Sequence, residues 1–170
     1  MRLFDKARHC KTHCLNNIIF YQIRQLLFIK NISFGGIVVN QKKFKVGIIG
    51  ATGMVGQRFA LLLENHPWFE VKVLAASARS AGKKYGDVVE GRWHMTKALP
   101  EKYKDMVIVD AENVEEVASQ VDFCFCAVNM KKDEIKALEE RYAKAECPIV
   151  SNNSAHRFTP VSYTYLRAHE

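Results

Sequence analysis

Phe44-Lys45-Val46-Gly47-Ile48-Ile49-Gly50-Ala51-Thr52-Gly53-Met54-Val55-Gly56-Gln57-Arg58-Phe59-Ala60-Leu61-Leu62-Leu63-Glu64-Asn65 is the stretch that decides the fold. Its first six residues are short, apolar and β-branched, and read as a buried parallel strand. A G-x-x-G-x-x-G loop follows at once, with glycines at 50, 53 and 56. Gln57 to Asn65 is helix-forming and His66-Pro67 stops it. Strand, glycine loop and helix in that order form a phosphate cradle. The glycines permit a tight turn and close backbone approach, while the helix N-terminal amides and dipole hold a pyrophosphate. The segment therefore predicts a dinucleotide site on an α/β fold.

The second strand reads Phe69 to Ala76. An NAD-preferring site carries Asp or Glu near this end, roughly 20 residues past the glycines, to bind the ribose 2′-hydroxyl. Here the chain runs Ala76-Ser77-Ala78-Arg79-Ser80-Ala81-Gly82-Lys83-Lys84, with no acid. Arg79 pairs with an adenosine 2′-phosphate, and the Ser77 and Ser80 hydroxyls assist it. The expected cofactor is NADP.

The alternation continues. Met106 to Asp110 reads as a strand, Val114 to Ser119 as a short helix, and Val121 to Val128 as a buried strand. Lys131 to Ala145 is an amphipathic helix with Ile135, Leu138 and Tyr142 on one face. Pro148 to Val150 is a last short strand, ending in Ser151-Asn152-Asn153-Ser154-Ala155-His156-Arg157. The expected architecture is a Rossmann-like, doubly wound, mostly parallel sheet. Ligands in open α/β sheets sit at the carboxyl ends of strands, which places Ala127 and the turn with Asn152 and Ser154 toward the cofactor.

Charge and cysteines exclude several classes. Of 170 residues, 25 are basic and 18 acidic, giving +7. Residues 1–43 hold eight Lys/Arg and one acid, so the whole excess lies there and residues 44–170 balance to zero. The globular part has no electrostatic case for nucleic acid. No run of about 18 apolar residues predicts a membrane span. Five cysteines without paired spacing are no disulfide scaffold, and a cytoplasmic location is expected. His9-Cys10 and His13-Cys14 lack a second half-site at zinc spacing, so no metal is expected. Cys124 and Cys126 share one face of a buried strand and read as packing residues.

Lys45 to Gly56, Ala76 to Lys83 and Ser151 to Arg157 together resemble the N-terminal NADP-binding domain of aspartate-semialdehyde dehydrogenase, over about residues 43–160. The likeness looks strongest to the branch found in archaea, fungi and some anaerobic bacteria. It implies that Thr52, Gly53, Met54 and Val55 contact the pyrophosphate and that Ser77, Arg79 and Ser80 read the 2′-phosphate. It further implies NADPH-dependent reduction of L-aspartyl-4-phosphate to the semialdehyde, toward lysine, methionine and threonine. In that family a cysteine nucleophile and a histidine acid/base lie in a second domain, so no catalytic residue is assigned in this chain and the fragment is expected to be inactive. When complete, such an enzyme acts on a small molecule and is expected to be a homo-oligomer. Two alternatives share the glycine loop: a stand-alone NADPH-binding module, and an N-acetyl-glutamyl-phosphate reductase relative, which the Arg79-Ser80 loop disfavours.

Both ends are read as foreign to this domain. Residues 1–43 are basic and nearly acid-free like a transit peptide, but contain a single serine, Ser33. Gly35-Gly36 before Val38-Val39 reads as a translated ribosome-binding sequence and GTG start, so the segment is expected to be non-native or disordered. Residues 161–170 read as a translated sequencing adapter. The expected organisation is 1–43 extension, 44–160 cofactor domain and 161–170 tail.

Overall fold

The computed structural model describes residues 42–156; the readings on residues 1–41 and 157–170 lie outside them. Five parallel strands form one sheet: β1 (Phe44–Ile49), β2 (Phe69–Ala76), β3 (Val109–Asp110), β4 (Phe123–Cys126) and β5 (Ile149–Ser151). Their spatial order is β3-β2-β1-β4-β5. The chain runs outward from β1 to β3, then returns to pair β4 against the free side of β1. That reversal between β1 and β4 is the switch point at which doubly wound sheets bind ligands. The expected fold class is the one observed.

Alternate residues of the strands feed two cores, because successive side chains on a strand point to opposite faces. Val46, Ile48, Leu74, Phe123, Phe125 and Val150 pack with α1 (Met54–Leu63), α2 (Tyr85–Val89) and α3 (Glu101–Lys104). Ile49, Val73, Ala75, Cys124, Cys126 and Ile149 pack on the other face with α4 (Val114–Ala118) and α5 (Lys132–Lys144). A sheet buried on both faces explains why β4 and the ends of β1 and β2 read as continuous apolar runs. On the first face Phe59 stacks on Phe125 with centroids 5.1 Å apart, and Phe123 meets Phe125 edge-on at 5.2 Å. On the second, the α5 residues Leu138 and Tyr142 are buried as their spacing predicts, and the Tyr142 hydroxyl donates to the Ala111 carbonyl at 2.9 Å.

Three details depart from the sequence reading. The helix after the glycine loop begins at Met54, not Gln57, because only Gly53 stays extended (φ −78°, ψ 164°) at its N-cap. The expected strand from Met106 shrinks to Val109–Asp110. The backbone of Met106 and Ile108 bonds instead to Tyr85 and Lys83, and Val107 bridges antiparallel to Lys84. The short helices α2 and α3 went unread, since four or five residues carry no usable period.

Candidate functional site

β1 ends at Ile49, and Gly50 turns the chain sharply over the carboxyl end of the sheet with φ +85°. Its amide and that of Ala51 both donate to the Ala75 carbonyl of β2, at 2.8 and 3.0 Å. On the other side the Ala127 amide donates to the Ile49 carbonyl at 2.8 Å. The loop is thus fastened between the carboxyl ends of β2 and β4. A Cβ on Gly50 would lie 2.7 Å from the Ala127 carbonyl oxygen, and one on Gly56 only 2.2 Å from the Gly50 oxygen. These two glycines let α1 start directly against the strand end.

α1 begins with no side-chain cap and no acidic residue in its first turn. Its N-terminal amides and dipole therefore present positive potential that no carboxylate of that turn offsets. Met54 and Val55 are exposed there, at 63% and 40%.

Beside this end lies a cleft of about 400 Å³ lined by Thr52, Ser77, Arg79, Ser80, Lys83, Asp87, Val88 and Arg92. Four of the residues singled out in the sequence, Thr52, Ser77, Arg79 and Ser80, are brought together in it. The Ser77-to-Lys83 segment is a compact turn after β2, held by Ser80 N–H to Ser77 O at 2.8 Å and Gly82 N–H to Ile108 O at 2.8 Å. Three cations face one carboxylate in the cleft. Among the ion pairs of the described residues, none involves Arg79, Lys83 or Arg92, whereas the adjacent Lys84 is bonded to Asp105 at 2.8 Å. The cleft therefore carries net positive charge.

Ala127, Asn152 and Ser154 do not line that cleft. They follow β4 and β5 on the other flank of β1, where the Asn152 amide donates to the Cys126 carbonyl at 2.9 Å. Behind this turn sits a buried polar group. Ser151 Oγ donates to Glu139 and accepts the Asn153 amide at 3.0 Å, while His156 Nε2 lies 3.6 Å from Glu139 Oε2. Glu139 and His156 are both buried, at 5% and 7% exposure. His156 is thus placed beside the buried carboxylate of Glu139, under the turn.

The cysteines of the described chain are packed away. Cys124 and Cys126 are fully buried in the same core, and the Cys124 and Cys147 sulfurs lie 3.8 Å apart. The hydrogen bond to Cys147, together with burial, holds the Cys124 thiol well above its usual range, which suppresses the thiolate a nucleophile needs. Cys10 and Cys14 lie outside the described residues. Among those residues no group of three or more His, Cys, Asp or Glu could hold a metal ion, and no helix is long and apolar enough to cross a membrane.

Reasoning from the sequence missed Gln57, Asp87, Val88 and Arg92. Gln57 had a readable signal: it lies on the inward face of α1 with Ala60, where a polar residue must be hydrogen-bonded. The others sit on or just after a helix too short to announce itself. Tyr85 was equally silent, yet its buried hydroxyl donates to the Ala51 carbonyl at 2.8 Å and pins the glycine loop from below. Burial raises the pKa of this hydroxyl, so it stays a donor across the working pH range. Tyr85→Phe strands that carbonyl and is expected to cost about 1–3 kcal/mol in urea unfolding. An unchanged midpoint would show that the loop does not depend on Tyr85.

Residues 45–168 match the family described as semialdehyde dehydrogenase, NAD-binding domain. The chain belongs to that family. It is 45% identical over 111 residues to the aspartate-semialdehyde dehydrogenase of Saccharomyces cerevisiae, covering 65% of this chain and 29% of that protein. With the Methanothermobacter thermautotrophicus enzyme of the same name it shares 42% over 115 residues, covering 68% of this chain and 31% of the other. The crystal structure of the Candida albicans aspartate-semialdehyde dehydrogenase with NADP superposes with a TM-score of 0.63 at 39% identity, over 69% of this chain and 32% of that one. The chain therefore spans about three tenths of the length of these relatives, and both a fungal and an archaeal likeness, as expected from its motifs, are present.

Proposed function

We propose that residues 44–160 are the NADP-binding unit of an aspartate-semialdehyde dehydrogenase. The observation that carries this reading is the cleft beside the uncapped α1 terminus, whose Arg79, Lys83 and Arg92 form no ion pair among the described residues. The residues present fit a 2′-phosphorylated dinucleotide. The loop from Gly50 to Gly56, with Thr52, Gly53, Met54 and Val55, offers backbone amides and a helix terminus to the pyrophosphate. Ser77, Arg79 and Ser80 offer hydroxyls and a guanidinium to the 2′-phosphate. Ala127, Asn152 and Ser154, at the ends of β4 and β5, are suited to the nicotinamide half. When bound, the dinucleotide supplies the hydride; the described residues bind and orient it and hold its charge.

The wider reading rests on these relatives. The complete enzyme reduces L-aspartyl-4-phosphate with NADPH, acts as a cytoplasmic homo-oligomer on this small molecule, and takes its nucleophile from outside the described residues. Cys124, Cys126 and Cys147 support that last point by their burial. Two measurements on the chain test the proposal. Fluorescence titration is expected to show NADPH binding at least about tenfold tighter than NADH, as one charge-assisted contact gives; equal affinities would overturn the cofactor assignment. An assay for NADP-dependent turnover of the semialdehyde with phosphate is expected to show none, and clear turnover would overturn the account of the nucleophile.

A further inference from the structure

Gln57 is fully buried on a face of α1 otherwise made of Gly56, Ala60 and Leu63. An apolar residue would fill that space at no desolvation cost, so the amide needs a reason. Its hydrogen bonds supply one. Nε2 donates to the Thr52 carbonyl at 3.1 Å and to the Arg92 carbonyl at 2.9 Å, and Oε1 accepts the His94 amide at 2.9 Å. Both amide hydrogens and the oxygen are used, so the group is satisfied where it is buried. A single side chain thereby ties the phosphate loop to the backbone on both sides of residue 93.

Arg92, held in this way, lines the same cleft as Arg79. Its Nε and Nη2 donate to the Val88 carbonyl at 3.2 and 2.7 Å, which fixes the plane of the guanidinium at the end of α2. That uses two of its five N–H donors and leaves three. The guanidinium is exposed and, among the described residues, forms no ion pair. A fixed planar cation with spare donors, lining a cleft with two other cations, is the arrangement that recognises phosphate.

We propose that Arg92 is a second guanidinium of the 2′-phosphate site and that Gln57 is the positioning residue that holds it against the phosphate loop. The inference rests on the NADP reading above and adds to it the residues that set cofactor preference. Arg79 approaches from the turn after β2, and Arg92 comes from the segment after α2, so two separate parts of the chain contribute cations to one phosphate. Closing the loop-to-Arg92 link through α1 makes pyrophosphate placement and 2′-phosphate recognition parts of one rigid unit.

The test is calorimetric titration of the 170-residue chain with 2′-phospho-ADP-ribose and with ADP-ribose, ligands that differ only in the 2′-phosphate. Arg92→Gln keeps a donor for the Val88 carbonyl but no charge. It is expected to cut the preference for the phosphorylated ligand about tenfold while ADP-ribose affinity stays within about twofold. Arg92→Lys, which retains both charge and a donor, keeps part of the preference. Gln57→Met is expected to reduce the preference in the parent and to add less than about twofold in the Arg92→Gln background, because it acts through Arg92. Retention of the full preference in Arg92→Gln overturns the proposal and leaves the NADP reading standing. Parallel loss of both ligands in Arg92→Gln and Arg92→Lys makes Arg92 a structural residue and also overturns it. A parent chain that binds ADP-ribose without preferring its 2′-phosphate form overturns the NADP reading itself.

Discussion

Replacing Gly56 with alanine is expected to lower the unfolding temperature by about 6–12 °C and to abolish tight dinucleotide binding. The new Cβ would sit 2.2 Å from the Gly50 carbonyl oxygen and 2.7 Å from the Ala51 Cα, both backbone atoms. Neither can rotate away as a flexible side chain would. α1 must then move off the end of β1, through a core that includes Ala60 and Leu63. Overpacking of this kind costs about 3 kcal/mol, and each kcal/mol is worth about 2–4 °C in a chain of this size. The same displacement carries the helix N-terminus away from the pyrophosphate. The contrasting substitution is Gly53→Ala, where the nearest atom would be the Gly50 oxygen at an ordinary 3.5 Å. Thermal unfolding of the two variants checks the argument: equal stability of Gly56→Ala and the parent would mean the loop has slack that its contacts do not show.

Arg79→Ala is expected to weaken NADPH binding about 10- to 100-fold and to leave NADH within about twofold. A charge-assisted contact contributes about 1.5–3 kcal/mol, and every 1.4 kcal/mol is about a factor of ten. Arg79 is exposed on the turn after β2 and bonded to no carboxylate among the described residues, so its removal strands no buried partner. The loss should therefore appear in the ligand that carries the 2′-phosphate and not in stability. Paired titrations with the two reduced cofactors make the measurement. Equal losses for both would mean that Arg79 acts on the shared part of the dinucleotide.

The fold was legible because its determinants are local. A parallel strand must be apolar where both its faces are covered, and β4 and the C-terminal halves of β1 and β2 are; a dinucleotide loop must be glycine at fixed offsets, and Gly50, Gly53 and Gly56 are. The absence of an acid after Ala76 and the presence of Arg79 are likewise local facts, tied to the end of β2 by chain connectivity. These sufficed for the sheet, the cofactor loop and four of the eight residues that line the cleft.

The remaining residues depend on contacts between distant parts of the chain. Met106 to Ile108 has the composition of a strand, but the Met106 carbonyl is taken by the Tyr85 amide and the Ile108 amide by the Lys83 carbonyl, a competition that no window of sequence contains. Arg92 lies 13 residues beyond Arg79 on a segment without period, and its carbonyl accepts a hydrogen bond from Gln57, 35 residues earlier. Glu139 and Ser151 meet through the packing of α5 on β5. Patterns along the chain specify which backbone groups form strands, turns and helices, since those choices turn on neighbours a few residues apart. Which cations line one cleft is a matter of side chains converging from separate elements, and the folded sheet with its helices is what brings them together.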